Sequence, residues 1–379
     1  MELPSGILAL ARRVSDAGGR LYVVGGCVRD HVLGRSSGDI DVEVHGLSSD
    51  RVAELIRAKK TVGKSFGVYR FRLGRDAIDV ALPQVDGEVR PHLGLAEAAR
   101  RRDLRINALA WDPLSAEVID PHGGLDDIAS GLLRHVDDLT FSQDPLRALR
   151  AVRFSVTLGL GLSPELKAIC AAQDLRSVPM ERQRPELHRI FGSPEPGRGL
   201  ALLRELGLLG HLPGLGDGLP SDTLDRMSMA LDDQIVGAWA LLLWRSSGVG
   251  WVDTLNLGRH RSRNIRKEAE ALAAVLHDPP ARLDDAALCR LAETVVVEVA
   301  LGLFAATGRA DPVARDRAEA LGVLREPLPQ LLGGKQLRAA GVPPGPRMGQ
   351  LLTALREEQL DRRVLDQPAA LTWLAKQDA

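Results

Sequence analysis

Aromatic residues make up only 3% of the 379-residue chain, which excludes a binder that stacks many bases on a series of rings. Cysteine is scarce too: Cys27, Cys170 and Cys289 are an odd number with no C-x-x-C spacing. That pattern offers no disulfide framework and no zinc site, and it fits reduced thiols in a cytosolic protein. No apolar run approaches the roughly 18 residues that a membrane span requires. The opening "MELPSGILALARRVSDAGG" lacks a basic start followed by a long apolar stretch, and reads as an amphipathic helix instead of a signal peptide. A soluble, cytoplasmic protein is the expectation. Charge of one sign is also missing, since 49 Lys and Arg oppose 50 Asp and Glu for a formal net of -1. With no global attraction to a polyanion, any such partner must be held by local arginine and lysine clusters.

What is present is enough apolar material, 45% of residues, for two to three domains. The first ~130 residues alternate helix and strand patterns. "RLYVVGGCVRDHVLG" reads as strand, glycine turn and short helix, and "DIDVEVHG" as a strand of period two. "SSDRVAELIRAKK" opens with a helix start signal, and "SFGVYRFRLG" with "DAIDVALP" reads as a hairpin or meander. Beyond about Asp137 the strand signals fade and capped helices follow one another, with breaks near Gly199 and Leu328.

The chemistry gathers in Gly25–Val44, "GGCVRDHVLGRSSGDIDVEV". On a strand, side chains two apart face the same way, so Asp39 and Asp41 project together while Ile40 and Val42 face the other side. Two neighbouring carboxylates repel unless a cation lies between them, and a hard, oxygen-liganded ion such as Mg²⁺ suits them. A solvated strand face is the competing reading of D-x-D. Gly25–Gly26 would let backbone N–H groups approach a phosphate, although the same pair also serves an ordinary strand-to-helix turn. Arg29 follows, placed to neutralise a triphosphate, and Asp79 on a later strand could border the same site. Acids for metal, a glycine turn and cations for a leaving pyrophosphate are the equipment of nucleotidyl transfer.

At these residues the chain resembles the class II tRNA nucleotidyltransferase and bacterial poly(A) polymerase family. Further motifs carry the resemblance: "RRDLRINALAWDP" (Arg101–Pro113), "IDPHGGLDDI" (Ile119–Ile128), "QDPLRALRAVRF" (Gln143–Phe154), "MERQRPELHRIF" (Met180–Phe191) and "GKQLRAAGVPPGPRMGQLL" (Gly334–Leu352). They run in family order over nearly the whole chain. The resemblance implies an α+β fold: a small mixed-sheet, polymerase-beta-like nucleotidyltransferase head at 1–136, then an all-α neck at 137–198, body at 199–327 and tail at 328–379. It implies that Asp39 and Asp41 hold catalytic Mg²⁺ and that Gly25, Gly26 and Arg29 contact the nucleotide. Arg102, Asp103 and Asn107 would lie by its sugar and phosphates. Asp144 and Arg147 would read the base edge in place of a nucleic-acid template, with Arg150 and Arg153 lining the same pocket. The implied partners are tRNA, CTP and ATP, and the implied reaction is attack of a tRNA 3′-hydroxyl on the α-phosphate of the nucleotide.

Helical spacing agrees in part. Residues three apart are neighbours on a helix, so Asp144 and Arg147 sit side by side as acceptor and donor. At about 100° per residue Arg153 turns away towards Leu146 and Leu149, which gives it a structural reading as well. Asp103 and Asn107, four apart, would meet on a helix. Arg182, Arg184, His188, Arg189 and the run "GRHRSRNIRK" (Gly258–Lys267) could carry tRNA phosphates or be solvated helix faces.

Three departures from the family pattern stand out. Gln143 replaces a usual Glu, Arg105 replaces a usual Thr, and the segment from Asp79 to Arg101 is short. The last resembles enzymes that add two cytidines and stop. Poly(A) polymerase is a second reading, weakened by "VGKSFGVYRF" where a GRRF-type strand is usual. A non-catalytic RNA-binding relative and transfer to a small molecule are the others. The lone His277–Asp278 lacks the further histidines of a metal-dependent phosphohydrolase.

Overall fold

The computed structural model describes the chain except residues 2, 37–39, 57–67, 74–75, 86, 213, 216–217, 231–233, 246–258, 261–262 and 378–379. Asp39 therefore lies outside the described residues, as do most of the "VGKSFGVYRF" run and part of "GRHRSRNIRK". The chain divides into two compact units, Met1–Leu187 with Leu202–His211, and His188–Ala201 with Leu212–Ala379.

In the first unit, α1 (Ser5–Asp16) leads into β1 (Arg20–Val24), and α2 (Gly26–Val32) precedes β2 (Asp41–His45). After α3 (Ser49–Ile56) come β3 (Val68–Leu73) and β4 (Asp76–Ala81), the hairpin expected from the alternating pattern. A short ladder of β5 (Gln84–Val85) and β6 (Glu88–Val89) follows. Then come α4 (Leu95–Ala99), a 3₁₀ turn at Arg105–Asn107, β7 (Ala110–Asp112) and β8 (Glu117–Ile119). The six-stranded sheet has the order β3-β4-β2-β1-β7-β8. β2 and β4 run parallel while the other pairs are antiparallel, so the sheet is mixed, as expected.

The period-two pattern of β2 sorts its side chains. Val42 and Val44 are fully buried with Leu21, Val23, Ile78 and Val80, against Ile7, Leu10 and Val14 of α1. Each such valine contributes at most about 1.5–3 kcal/mol of hydrophobic stabilisation. Asp41, Glu43 and His45 take the alternate positions, and a register shift of one residue would put all three into the apolar layer.

The helices beyond are α5 (Gly124–Ser130), α6 (Asp138–Ser142), α7 (Leu146–Leu158), α8 (Pro164–Ala171) and α9 (Met180–Phe191). α7 stops at Gly159, whose φ of 75° is the left-handed conformation that favours glycine at a helix end. In the second unit the fully buried Trp239 donates from Nε1 to His188 Nδ1 at 3.0 Å and meets Phe191 edge to face. The last helices, within Gly334–Ala375, enclose their own cluster of Leu332, Leu337, Val342, Leu351, Leu355 and Leu374. No helix among the described residues is long and apolar enough to cross a membrane.

Candidate active site

The turn from β1 into α2 depends on Gly25, whose φ of 82° and ψ of -138° only glycine adopts without strain. A side chain there would also approach Arg102 Nη1 to 3.4 Å. α2 is anchored by buried Cys27 and Val28, and Arg29, next in sequence, is buried as well. The Arg29 guanidinium donates from Nη1 to Asn107 Oδ1 at 2.7 Å and from Nε and Nη2 to Asp30 Oδ1 at 2.9 and 2.7 Å.

Asn107 in turn donates from Nδ2 to Asp103 Oδ1 at 2.8 Å. The expected meeting of Asp103 and Asn107 is thus present, made by a single 3₁₀ turn and not by an α-helix, and Asp103 Oδ1 also accepts Leu104 N–H just before that turn. Asp103 Oδ2 accepts Arg150 Nε at 2.7 Å. Burial alone would raise the Asp103 pKa, but the Arg150 charge and the hydrogen bonds from Asn107, Arg150 and Leu104 hold it below the usual carboxylate range.

Asp144 is not inside α7. It precedes Pro145, which fits a first helical turn because it needs no N–H there. Its Oδ1 accepts Leu146 N–H and its Oδ2 accepts Arg182 Nη2 at 2.7 Å. Arg147 donates to the carbonyls of Thr140 (2.8 Å) and Arg101 (2.7 Å), so Asp144 and Arg147 are each set by other partners. Arg153 is 9% exposed, lies 2.8 Å from Glu186 Oε2, and is not among the residues lining the cavity.

That cavity, about 410 Å³, is lined by Gly25, Gly26, Arg29, Asp41, Arg102, Asp103, Asn107, Asp144, Arg147 and Arg150, together with Arg101, Leu146, Phe154 and Arg182. Among its lining residues six arginines oppose three aspartates, an excess of three positive charges in a chain that is nearly neutral. Burial lowers the pKa of Arg102 and of Arg147, so both favour an anion that replaces the lost water. Asp41 is exposed at one wall, and Asp79 of β4 stands directly opposite it in the parallel register. Paired residues of adjacent strands project to one face, which places both carboxylates on the side of the sheet opposite the valine layer.

Three contributors escaped sequence reasoning. Glu43, 3% exposed, lies within 2.5 Å of Arg101 and 4.0 Å of Arg102, and its other oxygen is 3.0 Å from His45 Nε2. Burial would raise its pKa, yet the His45 hydrogen bond and the two arginines bring it down to about 2. Its position two residues after Asp41 on the same strand face was the available signal. The second is Asp120, which accepts the N–H groups of His122, Gly123, Gly124 and Leu125 and so fastens the start of α5. The third is Gly124, where a Cβ would lie 2.5 Å from the Arg105 carbonyl oxygen. The run "IDPHGGLDDI" therefore buttresses the turn that carries Asn107. Arg105 extends the same turn by donating to the His135 carbonyl at 3.2 Å.

Residues 21–134 match the poly A polymerase head domain, and residues 165–219 match the probable RNA and SrmB-binding site of polymerase A. Two segments of the chain thus match parts of polymerase A, and the chain as a whole has the fold of the CCA-adding enzymes. A multifunctional CCA protein of Xanthomonas campestris is 37% identical over 206 residues, half of either chain. A CCA-adding enzyme of Leuconostoc mesenteroides is 27% identical over 96% of this chain and 94% of its own. Among solved structures, the Bacillus stearothermophilus CCA-adding enzyme in complex with CTP superposes with a TM-score of 0.75 at 27% identity, covering 100% of this chain and 98% of that one. The chain spans about half the length of several curated relatives that it matches.

Proposed function

We propose that the protein is a tRNA 3′-end nucleotidyltransferase. The observation that carries this reading is the arginine-rich cavity beside Asp41, with Asp144 and Arg147 at its wall. Its volume is of the size that holds a drug-sized or nucleotide ligand, about 300–1,000 Å³. In the proposed reaction the tRNA 3′-oxygen bonds to the α-phosphorus of CTP or ATP, the bond to the β-phosphate breaks, and pyrophosphate leaves. Arg29, Arg102 and the glycine turn receive the phosphates, Asp103 and Asn107 border the sugar, and Asp144 with Arg147 faces the base. Arg150, ion-paired to Asp103, lines the same wall.

The donor set suits Mg²⁺, since Asp41 supplies exposed carboxylate oxygens and Asp79 lies beside it in register. Asp41, with Asp39 two residues earlier, would hold the ion, which would polarise the phosphate and activate the attacking hydroxyl. CCA-adding enzymes are among the relatives, and that of Bacillus stearothermophilus was solved with CTP; both support a tRNA 3′ end as acceptor and CTP and ATP as donors. Three buried free cysteines agree with residence in the reducing cytoplasm.

How many nucleotides are added is a finer question. The segment after β4 is a two-residue ladder and one helical turn held to β2, with Gly46 N–H donating to Pro91 O at 2.6 Å and His45 Nδ1 2.9 Å from Leu93 O. This compact connection supports addition of two cytidines only, whereas the names of the relatives favour complete CCA. Purified protein is offered tRNA lacking CCA with CTP and ATP, and products are sized at single-nucleotide resolution. Growth by two supports the first reading and growth by three refutes it. Asp41→Ala is expected to abolish growth by at least about a thousandfold, as loss of several kcal/mol of metal-assisted charge stabilisation implies. Retained activity would remove Asp41 from the chemistry, and wild-type protein that extends no tRNA would sink the function itself.

A further inference from the structure

Phe154 ends the run "DPLRALRAVRF", is 7% exposed and borders the cavity. Three guanidinium groups surround its ring. Arg153 Cζ lies 3.9 Å from the ring centroid, Arg29 Cζ 4.9 Å and Arg150 Cζ 5.6 Å. All three fall within the roughly 6 Å over which the ring quadrupole attracts a cation. Three like charges around one ring repel one another, but each also has its own carboxylate: Asp30 for Arg29, Asp103 for Arg150 and Glu186 for Arg153. The ring thereby joins α2 of the sheet domain to α7, and it does so at two of the arginines that line the cavity, Arg29 and Arg150. A leucine would fill the volume and leave Arg29 and Arg150 without that common surface.

We propose that Phe154 is a positioning residue whose ring holds Arg29 and Arg150 in the orientation that receives a nucleoside triphosphate. The proposal rests on the nucleotidyltransferase reading above. It separates the ring's electrostatics from its bulk: the π-face aligns the guanidinium planes, and the carboxylates fix their distance.

The test uses the full chain with three replacements at one position. Phe154→Leu removes the ring, Phe154→Tyr keeps it, and pentafluorophenylalanine keeps the shape while inverting the quadrupole. CTP dissociation constants are measured by equilibrium dialysis without tRNA, and arginine Nε–Hε NMR signals are recorded in the same proteins. Binding about tenfold weaker is expected for the leucine and fluorinated proteins, with tyrosine within about twofold of wild type. Arginine signals displaced by the ring current in wild type should relax towards ordinary positions in Phe154→Leu. A role in packing alone would leave the fluorinated protein binding CTP like wild type, and that result overturns the proposal. Wild-type protein that binds no CTP would instead refute the nucleotidyltransferase reading, and the arginine signals alone would then judge the ring: undisplaced signals in wild type overturn the placement.

Discussion

Gly124→Ala sets two effects of opposite sign against each other. Gly124 opens α5 with an ordinary negative φ, so alanine is compatible with its backbone. Helix propensity alone would make the substitution stabilising by about 0.5–1 kcal/mol. The tertiary contact argues the reverse. The new Cβ would meet Arg105 O at 2.5 Å, Arg105 C at 2.9 Å and Ile106 Cα at 3.1 Å, all backbone atoms that cannot rotate away. Relief needs a shift of about 0.5 Å or more between α5 and the Arg105–Asn107 turn, and overpacking of this kind costs about 1–3 kcal/mol. The net expectation is a loss of about 0.5–2 kcal/mol, or a melting temperature lower by about 2–6 °C for a unit of this size. The turn that moves carries Asn107, which bridges Arg29 and Asp103, so the KM for CTP should also rise, by up to about tenfold. Gly349→Ala is the control: it sits inside the Pro346–Leu360 helix with nothing within 4 Å of the added carbon. There only propensity acts, and stability should increase by about 0.5–1 kcal/mol. Thermal unfolding by circular dichroism and steady-state incorporation of CTP measure both variants. A Gly124→Ala protein as stable as wild type, with an unchanged KM, would refute the buttress.

Two further outcomes follow from groups outside the cavity. Asp120→Ala leaves four N–H groups at the start of α5 without their acceptor, and should lower stability by about 2–4 kcal/mol in the same unfolding assay. Burial pushes the fully buried Cys170 thiol up from 9.0 to about 12. Unfolded protein then ionises first, so this stability is complete below pH 9 and declines as pH rises towards 12. Urea unfolding between those values should show a steeper decline in wild type than in Cys170→Ala, and equal slopes would exclude the thiol as its source.

Short-range chemistry was legible in the amino-acid sequence. The alternation in "DIDVEV" separates Val42 and Val44 from Asp41 and Glu43 because a strand turns each successive side chain over. The glycine pair, the Asp-Pro start and the Gly159 stop of α7 are likewise local, set by φ and by unpaired helix-end groups. Even the bond between Asn107 and Asp103 was anticipated from spacing, although the tighter 3₁₀ turn was not, since an aspartate that accepts its neighbour's N–H offers the backbone a local alternative to a regular helix. The sequence was less informative about partners. Asp144 and Arg147 are neighbours by spacing, yet one is drawn to Arg182 and the other to the Thr140 and Arg101 carbonyls.

By itself, then, the sequence determined the elements, the order of the motifs and which face of β2 is polar. These follow from backbone geometry within a few residues and from the apolar pattern. Tertiary structure decided what each polar group meets. Parallel pairing of β2 with β4 brings Asp79 opposite Asp41, and a crossing of 58 residues brings Arg101 to Glu43. α7 packed against the sheet domain gathers Arg29, Arg150 and Arg153 around Phe154. The physical reason is the same in each case: a charged side chain pairs with whatever the packed chain brings within a few ångströms, and strand order and helix packing set that neighbour.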